Sequence, residues 1–489
     1  MQGAIARIKK HIGVYEVIAF IIGYALLTYE LIASRLLAPT IGASTYVWTS
    51  VIGVIIAALA FGYTYGGWLA DKRAKQVDIA ALLLLSAAAI CLTLIFYRDV
   101  LLLVSQLVRD SRMAGVVASV ILFLPASFIL GAISPYLARL RNVSLATTGQ
   151  SIAGLSASNS IGGITGTFTA GFILFSLIGS RQTLAILVIL LVATSWLLVP
   201  KQKTSFRFSS SLIIAVLAVA GLLVPQSNAL AEIDTPSAHY EVIQTNYQGQ
   251  PITALTAGPG GLQSGVYTDG SKALVFSYTQ KLADVVAAKP DKTDILVIGG
   301  GTFTLPEYLG NQYPDSAIDA VEIDPRLEGI AEQYFQFSTP PNVRIITADG
   351  RAYLQQTSKH YDLIIVDAYN DDEVPFSLAT AEFARLTQLS LKKHGVVLAN
   401  LIASDGADCG PLLDNFHAAY TSALPHFAYY PLRDETFDQR QNIIALYSRS
   451  ATPWNESVVG KFDPDLTKVS PPTDNFSKIE SLSQACSVR

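Results

Sequence analysis

Cysteine, histidine and charged residues are all scarce in this chain of 489 residues. The 3 cysteines include no Cys-x-x-Cys pair, and the 6 histidines form no cluster with metal-ligand spacing, so we predict neither a disulfide scaffold nor a metal site. Charged residues make up only 15% of the sequence and hydrophobic residues 51%, whereas soluble globular proteins carry about a quarter charged residues. This composition excludes a disordered chain and indicates a protein partly embedded in a membrane.

The few charges are divided unevenly between the two halves of the chain. Residues 1–231 carry 16 Lys or Arg and 6 Asp or Glu, a net charge of +10. Residues 232–489 carry 18 Lys or Arg and 32 Asp or Glu, a net charge of −14. This negative charge disfavours nucleic acid as a partner. We therefore treat the two halves as separate domains of different class and predict a transmembrane domain over residues 1–231.

Apolar runs long enough to cross about 30 Å of hydrocarbon recur through the first half. They predict an α-helical bundle of seven spans in a cell (inner) membrane, near residues 14–37, 46–69, 77–97, 114–138, 150–178, 182–199 and 209–225. The apolar stretch Asp99–Val108 is too short to span, and we interpret it as an interfacial segment or part of a loop.

Glu30 and Arg35 are charged residues within or at the edge of the first predicted span. A carboxylate inside a span is costly and normally faces a partner or a wet cavity. An intrabundle salt bridge and a polar cavity both explain Glu30, and the sequence leaves the two open.

Short alternating strands separated by Gly and Pro turns begin the second half. They predict a small β domain over residues 232–285, with strands Tyr240–Thr245, Ile252–Ala257, Gly265–Thr268 and Leu274–Phe276. Strand–helix alternation over residues 286–489 is typical of an α/β doubly wound, Rossmann-like domain. Its expected strands are Asp294–Ile298, Ala317–Glu322, Arg344–Thr347, Tyr361–Val366 and Val396–Leu401, with an antiparallel edge near 426–431 and 442–447.

A glycine-rich turn, Gly299, Gly300, Gly301 and Thr302, follows the first parallel strand. Glycines let a ligand approach the backbone, and the next helix offers its free N–H groups. A tight turn alone would also explain the triplet, so its meaning depends on the residues at neighbouring strand ends.

Acidic residues end the second and third strands. Glu322, followed by Ile323, lies about twenty residues after the glycines, where a carboxylate accepts hydrogen bonds from ribose hydroxyls. We assign Asp324 to the N-cap of the next helix. Asp349, followed by Gly350, is placed to accept a hydrogen bond from the exocyclic amine of a base. The order and spacing of these residues together indicate a nucleoside site.

The fourth strand ends at Asp367, which opens an acidic loop that contains Tyr369 and Asp371. This loop would attract a cationic ligand, and a carboxylate here could remove a proton from an ammonium group. A solvated run of charges is the alternative interpretation.

These residues resemble the spermidine synthases, and more closely the bacterial membrane-integrated spermidine synthase-like proteins of the polyamine aminopropyltransferase family. In the first half the resemblance rests on residues 30–39, Trp48 and residues 62–71. In the second half it rests on a set of site residues: Gln263, Ser264, Tyr278, Gly299, Gly300, Gly301, Glu322, Ile323, Asp324, Asp349, Gly350 and Asp367.

The resemblance implies transfer of an aminopropyl group from decarboxylated S-adenosylmethionine to an amine, with release of methylthioadenosine. Glu322 would hold the ribose and Asp349 the adenine amine. Gln263 and Tyr278 would line the channel for the propylamine chain and the acceptor, and Asp367 would activate the attacking amine.

Three departures from the soluble spermidine synthases concern the acceptor half of the site. Thr302 stands where they have an Asp that meets the cofactor's amine, and Gln280 where they have a Glu. Residues 367–371 read Asp-Ala-Tyr-Asn-Asp in place of Asp-Ser-Ser-Asp-Pro. We expect an intact nucleoside half and a changed acceptor or side-chain pocket that includes Tyr369 and Asp371. The substrate is then either intact or decarboxylated S-adenosylmethionine, with a small amine or polyamine as acceptor.

Three other functions stay open beside this one. The bound sulfonium could be cleaved or cyclised without an acceptor, the same fold could transfer a methyl group, or the bundle could transport a solute while the α/β domain only binds ligand. The oligomeric state, a homodimer included, also stays open.

The loop charges raise a conflict about the side of the membrane. Eleven Lys or Arg residues lie in the loops on the side of the N-terminus and five on the other side, which predicts a cytoplasmic N-terminus. Seven spans would place the second half outside, whereas S-adenosylmethionine is made inside. Cys409 and Cys486 could form a disulfide outside but would stay thiols inside.

Overall fold

The computed structural model divides the chain into two compact units. One comprises residues 1–228 and 233–239, and the other comprises residues 229–232 and 240–489. The predicted domain limits at residues 231 and 285 stay predictions. The structure describes residues 13–42, 44–108, 110–141, 148–198, 204–223, 229–235, 237–258, 261–369, 374–404, 406, 409–433, 439–451 and 469–487.

The first unit consists of helices. Their bounds are Val14–Ile41 (α1), Thr45–Lys72 (α2), Gln76–Leu107 (α3), Ser111–Leu122 (α4), Leu124–Arg141 (α5), Thr148–Thr169 (α6), Gly179–Ser195 (α7) and Thr204–Leu223 (α8). A π-helical segment, Ala170–Leu174, extends α6.

Four helices in the described part of the chain are long and apolar enough to cross a membrane: α1, α2, α3 and Gly179–Leu198. The pair α4 and α5 would form a fifth span with a bend of 54°. The predicted seven spans are therefore not confirmed. Gly, Ser and Thr lower the hydropathy of α6, and the apolar part of α8, Phe208–Leu223, is short.

The stretch Asp99–Val108 does not form a loop. Helix α3 runs without a break to Leu107, because residues 98–107 contain neither Gly nor Pro to end it. At 1.5 Å per residue, its 32 residues extend about 48 Å, well beyond one hydrocarbon thickness.

Glycines allow close helix contacts in this unit. A Cβ at Gly162 of α6 would lie 1.9 Å from the carbonyl oxygen of Phe20 in α1, and one at Gly66 of α2 would lie 2.2 Å from that of Ala132 in α5. Such backbone contacts are what lipid-embedded helices need, because burial of apolar groups gains little there.

Arg35 is paired with a segment that follows the helices. Its guanidinium donates to the carbonyl oxygen of Thr235 at 2.6 Å and lies 4.0 Å from the carboxylate of Asp234. Among the described residues, Glu30 has no ion pair, so the structure does not bring Glu30 and Arg35 together. The polar-cavity interpretation of Glu30 stays a prediction.

A four-stranded sheet in sequential order follows the helices along the chain and, apart from residues 233, 234 and 239, belongs to the second unit. Its strands are Ala231–Asp234 (β1), His239–Tyr247 (β2), Gln250–Thr256 (β3) and Ser264–Tyr267 (β4). The predicted strand Leu274–Phe276 is wrong, since this buried segment has no strand partner and leads into the helix Ser277–Ala288 (α9).

A seven-stranded sheet follows, with strands Asp294–Ile298 (β5), Ala317–Glu322 (β6), Val343–Thr347 (β7), Tyr361–Val366 (β8), Leu391–Ala403 (β9), His426–Pro431 (β10) and Gln441–Ser448 (β11). The strand order is β10-β11-β9-β8-β5-β6-β7. Strands β5 to β9 pair in parallel, and β10 and β11 form the predicted antiparallel edge.

The helices of this second unit lie between and after these strands. Beyond α9 they are Thr304–Gln312 (α10), Leu327–Tyr334 (α11), Gly350–Gln356 (α12), Ala381–Leu389 (α13), Gly410–Thr421 (α14) and Ile479–Ser487 (α15). A disulfide joins Cys409, beside α14, to Cys486 of α15.

The strand order reverses between β5 and β8. The chain proceeds from β5 outward to β7, then returns to the other side of β5 with β8. Ligands of doubly wound sheets bind at such a switch point, outside the carboxyl ends of the strands. The loops after β5 and β8 both lie there.

Candidate active site

The glycine turn and Asp367 meet at the switch point. Gly299 has a φ of +94°, and a Cβ there would lie 2.3 Å from the carbonyl oxygen of Asp367. Any side chain at Gly299 would therefore push apart the ends of β5 and β8.

Glu322 organises the glycine turn. Its Oε2 atom accepts hydrogen bonds from the N–H groups of Gly300 and Gly301 at 2.9 and 3.0 Å, and Oε1 accepts one from Asp324 at 3.0 Å. Burial raises the pKa of this carboxyl, and the three N–H donors offset part of the rise. The N–H groups of Gly300 and Gly301 thus bind Glu322, whose lone pairs can still accept further donors.

Asp324 is not the N-cap of helix α11. Its Oδ1 atom accepts from the N–H of Arg326 at 2.9 Å, and the helix starts after Arg326. The hydroxyl of Tyr240 also hydrogen-bonds to Asp324. Asp324 therefore fixes the turn after β6 and joins it to the small sheet.

Two further residues expected to bind the nucleoside, Ile323 and Asp349, are both exposed. Ile323 is 56% exposed beside Glu322. Asp349 is exposed as well, and its Oδ1 atom caps helix α12 by accepting from Ala352 N at 2.8 Å. Gly350 packs the start of that helix against β5, because a Cβ would lie 2.3 Å from Cγ2 of Ile298.

Thr302 does not reach the surface of the site. Its side chain is fully buried at 0% exposure, and its N–H donates to Ser264 Oγ at 3.3 Å. Its hydroxyl has no partner among the described residues. This hydroxyl is therefore not exposed to a ligand in the site.

Tyr278 and Asp367, both expected at the acceptor side of the site, lie together. The Tyr278 hydroxyl hydrogen-bonds to the Asp367 carboxylate and lies 3.3 Å from the carbonyl oxygen of Gln263. Burial raises the pKa of Asp367 to about 6, and hydrogen bonds from Asn400 and Tyr278 offset part of that rise. Burial, and then the charge of Asp367, raise the pKa of Tyr278 well above its usual value. The site therefore holds a carboxylate that can take up a proton near neutral pH.

The remaining predicted positions divide between described and undescribed residues. The Tyr369 hydroxyl donates to Asn400 O at 2.8 Å and accepts from Ile402 N at 3.0 Å, so it fastens the loop to β9. Asp371 lies outside the described residues. Gln280 is directed at the backbone of its own helix start, where Nε2 donates to Leu274 O at 2.7 Å.

Sequence reasoning missed Asn400, Asn442 and Tyr240 as parts of this site. Asn400 was recognisable as a lone polar residue near the carboxyl end of an apolar strand. Asn442 and Tyr240 carry no local signal, because their partners Asn400 and Asp324 lie far away along the chain.

Within the described residues no group of His, Cys, Asp and Glu side chains could hold a metal ion. The polar groups of the site are carboxylates, amides, tyrosine hydroxyls and backbone N–H groups. Such groups can bind hydroxyls and amines and can transfer a proton.

Comparisons with known proteins point to one family. Residues 275–401 match the family model of the spermine/spermidine synthase domain. Over 205 residues the chain is 31% identical to a polyamine aminopropyltransferase of Vibrio vulnificus, a match that covers 41% of this chain and 67% of the relative. A probable polyamine aminopropyl transferase of Bifidobacterium longum is 34% identical over 147 residues, which cover 30% of this chain and 32% of the relative.

Two further similarities concern a methyltransferase and a solved structure. The eEF1A lysine and N-terminal methyltransferase of Mus musculus is 32% identical over 141 residues, which cover 27% of this chain and 20% of the relative. A probable spermidine synthase from Corynebacterium glutamicum has a TM-score of 0.40 and 21% identity, with coverage of 45% of this chain and 81% of that one. The chain thus spans two thirds of the Vibrio relative and a third or less of the two others compared by sequence. With the match to the Vibrio relative and to the synthase domain, this chain belongs to the spermidine synthase family of polyamine aminopropyltransferase enzymes.

Proposed function

We propose that this protein is a membrane-bound transferase that moves the aminopropyl-type chain of an S-adenosylmethionine-type sulfonium to an amine. The observation that carries the proposal is the pairing of Asp367 with Tyr278 next to the glycine turn that Glu322 organises. In this arrangement Asp367, the proposed proton acceptor, lies at the switch point near Glu322, the carboxylate expected to bind a ribose.

The reaction needs little covalent help from the protein. The amine nitrogen attacks the carbon next to the sulfonium, the new C–N bond forms, and the C–S electrons move to sulfur to release methylthioadenosine. Asp367 takes up the proton that the amine loses. Because sulfonium is already a good leaving group, alignment and deprotonation of the amine are what the site has to supply.

Within this proposal Glu322 and Asp349 bind the ribose and adenine, with Ile323 and the glycine turn beside them. Gln263 and Tyr278 line the channel for the chain and the acceptor. Tyr369 and Asp371 contribute to the acceptor side, where Thr302 and Gln280 replace two carboxylates of the soluble relatives. The substrate is intact or decarboxylated S-adenosylmethionine, and the acceptor is a small amine or polyamine.

Mass spectrometry of the products tests this function. Purified protein is incubated with each form of the sulfonium, with and without a series of polyamines. Methylthioadenosine together with an alkylated amine supports the proposal. Methylthioadenosine without any acceptor indicates cleavage or cyclisation, S-adenosylhomocysteine indicates the methyl transfer that the murine relative's name describes, and no product from either form contradicts the proposal.

Asp367→Asn should reduce methylthioadenosine formation by about 10²- to 10⁴-fold, because the amide cannot accept the proton. The matched control is Asp291→Asn, an exposed carboxyl that precedes β5 at its amino end and should leave the rate unchanged. Equal rates for both variants would remove Asp367 from the proposed chemistry. Solute flux in proteoliposomes that survives Asp367→Asn would favour the transport alternative.

We further propose that the first unit is a multi-pass bundle in the cell membrane and that the second unit lies outside the cytoplasm. The four apolar helices support membrane association by length and composition. The Cys409–Cys486 disulfide supports the outside location, since disulfides are rare in the reducing cytoplasm.

A further inference from the structure

Asn400 is a buried amide next to Asp367 in the sheet. Val366 of β8 is the partner of Ala399 of β9, so the next residues, Asp367 and Asn400, lie side by side in this parallel ladder. Asn400 is 5% exposed, and its Nδ2 atom donates to Asp367 Oδ1 at 2.9 Å. The hydrogen bond is therefore a consequence of strand register.

A second amide holds Asn400 in this orientation. Asn442 of β11 donates its Nδ2 hydrogen to Asn400 Oδ1 at 3.0 Å. Asn442 is the antiparallel partner of Ile402, two residues from Asn400 and on the same face of the sheet. Because Oδ1 of Asn400 is occupied by an N–H donor, Nδ2 is the atom turned to the carboxylate.

We propose that Asn400 is the positioning residue that fixes the rotation of the Asp367 carboxylate, and that Asn442 acts through it. This inference rests on the proposed function, because Asp367 is the expected proton acceptor. The N–H donor holds one carboxylate oxygen in the sheet, so the rotation about the Cβ–Cγ bond is set before a substrate binds.

The same donor sets the proton affinity of Asp367. A hydrogen bond to the charged form favours that form, so removal of Asn400 should raise the pKa of the carboxyl. The other groups that act on this pair are tyrosines: Tyr278 of α9 contacts Asp367 directly, while Tyr369 of the same loop and Tyr247 of β2 act on Tyr278.

Rates over a pH series test the inference in the full-length protein. Asn400→Leu should lower kcat for methylthioadenosine formation about 10- to 100-fold and move the acid limb of the profile, expected near pH 6 in the unchanged protein, to higher pH. KM for the sulfonium should change less than threefold. Asn442→Leu should give a smaller change of the same sign, and the double variant should match Asn400→Leu, since on this proposal Asn442 acts on Asp367 through Asn400.

The control is Asn415→Leu, a half-buried position whose amide donates to Pro411 O of its own helix; it should leave kcat and the profile unchanged. If Asn400→Leu fails to fold, Asn442→Leu carries the test alone. Unchanged kcat and an unchanged acid limb, or additive effects in the double variant, would overturn the inference.

A readout without turnover separates this inference from the proposed function. Infrared titration of the Asp367 carboxylate, assigned by difference from Asp367→Asn, reports its pKa even in a protein that forms no methylthioadenosine. A rise in that pKa in Asn400→Leu supports the positioning contact whatever the reaction is. No rise would refute it, even if the enzyme proves active.

Discussion

At the residue scale, the two carboxylate oxygens of Glu322 hold the glycine turn and are also proposed to bind the ribose. They hold Gly300, Gly301 and Asp324 by their N–H groups, and the proposed ribose contact would use the remaining lone pairs. Glu322→Gln replaces one acceptor oxygen by an NH₂ group, so either one or two of these donors lose their partner. We expect a loss of about 1–3 kcal/mol in the free energy of unfolding, together with weaker sulfonium binding.

Thermal unfolding and the sulfonium KM check this prediction. Glu332→Gln, at an exposed position of α11, is the matched control. A Glu322→Gln protein as stable as the control would show that the turn does not depend on this carboxylate.

His417 is a second residue with a measurable effect. It is 5% exposed, its Nδ1 atom hydrogen-bonds to the Tyr429 hydroxyl, and burial lowers its pKa to about 4. The unfolded chain binds this proton at higher pH, near the usual value of about 6.5. The stability that the neutral ring contributes is complete above pH 6.5 and is lost as the pH falls from there towards 4, on the order of 3 kcal/mol in all.

Unfolding midpoints between pH 8 and pH 5 test this effect. His417→Phe should remove most of the decline, while His426→Gln, at an exposed histidine, should keep it. The same decline in His417→Phe would assign the pH dependence to other groups.

At the element scale, residues 469–487 are joined to the rest of the second unit by an ion pair, by hydrogen bonds and by a disulfide. Arg351 forms an ion pair with Asp474, and the N–H of Ala381 donates to Pro472 O at 2.9 Å. Helix α15 is then joined to the loop before α14 by the disulfide, which closes a loop of 77 residues. By the chain-entropy account, a loop of this length contributes about 4 kcal/mol.

Cys486→Ser should therefore lower the thermal midpoint of the second unit by several degrees. Reductant should lower the midpoint of the unchanged protein similarly but not that of the variant. Cys91→Ser serves as control, because Cys91 is a free, buried thiol of the first unit. A midpoint insensitive to reductant, with both thiols shown to be free by mass, would contradict the prediction.

Elements differ in how far the sequence predicted them. The strands Asp294–Ile298, Ala317–Glu322 and Tyr361–Val366 have the bounds expected from short apolar runs that end in turn residues or acids. Leu274–Phe276 has an equally apolar sequence but no strand partner, and it is buried on the way into α9. Apolar character predicts burial, whereas pairing depends on what lies alongside.

At the scale of the whole molecule, the proposed location of the second unit outside the cytoplasm can be tested with reporter fusions. An alkaline phosphatase fused after residue 489 should be active, and a green fluorescent protein at the same place should be dark, if the second unit lies outside. The same two reporters fused to the N-terminus are the controls. Because the N-terminus is expected in the cytoplasm, the phosphatase there should be inactive and the green fluorescent protein should fluoresce. A fluorescent C-terminal fusion would place the second unit inside, in agreement with the site of sulfonium supply.

The sequence by itself determined the division into a basic apolar half and an acidic α/β half, the doubly wound strand pattern, and the strand ends that bear Gly299, Glu322 and Asp367. These three features depend on composition and on local periodicity, which can be read from consecutive residues. Only the tertiary structure decided that Asn400 holds Asp367, that Arg35 pairs with Asp234, and that α3 continues past Asp99. Contacts between residues distant in sequence follow from strand register and helix packing, so no local pattern reports them.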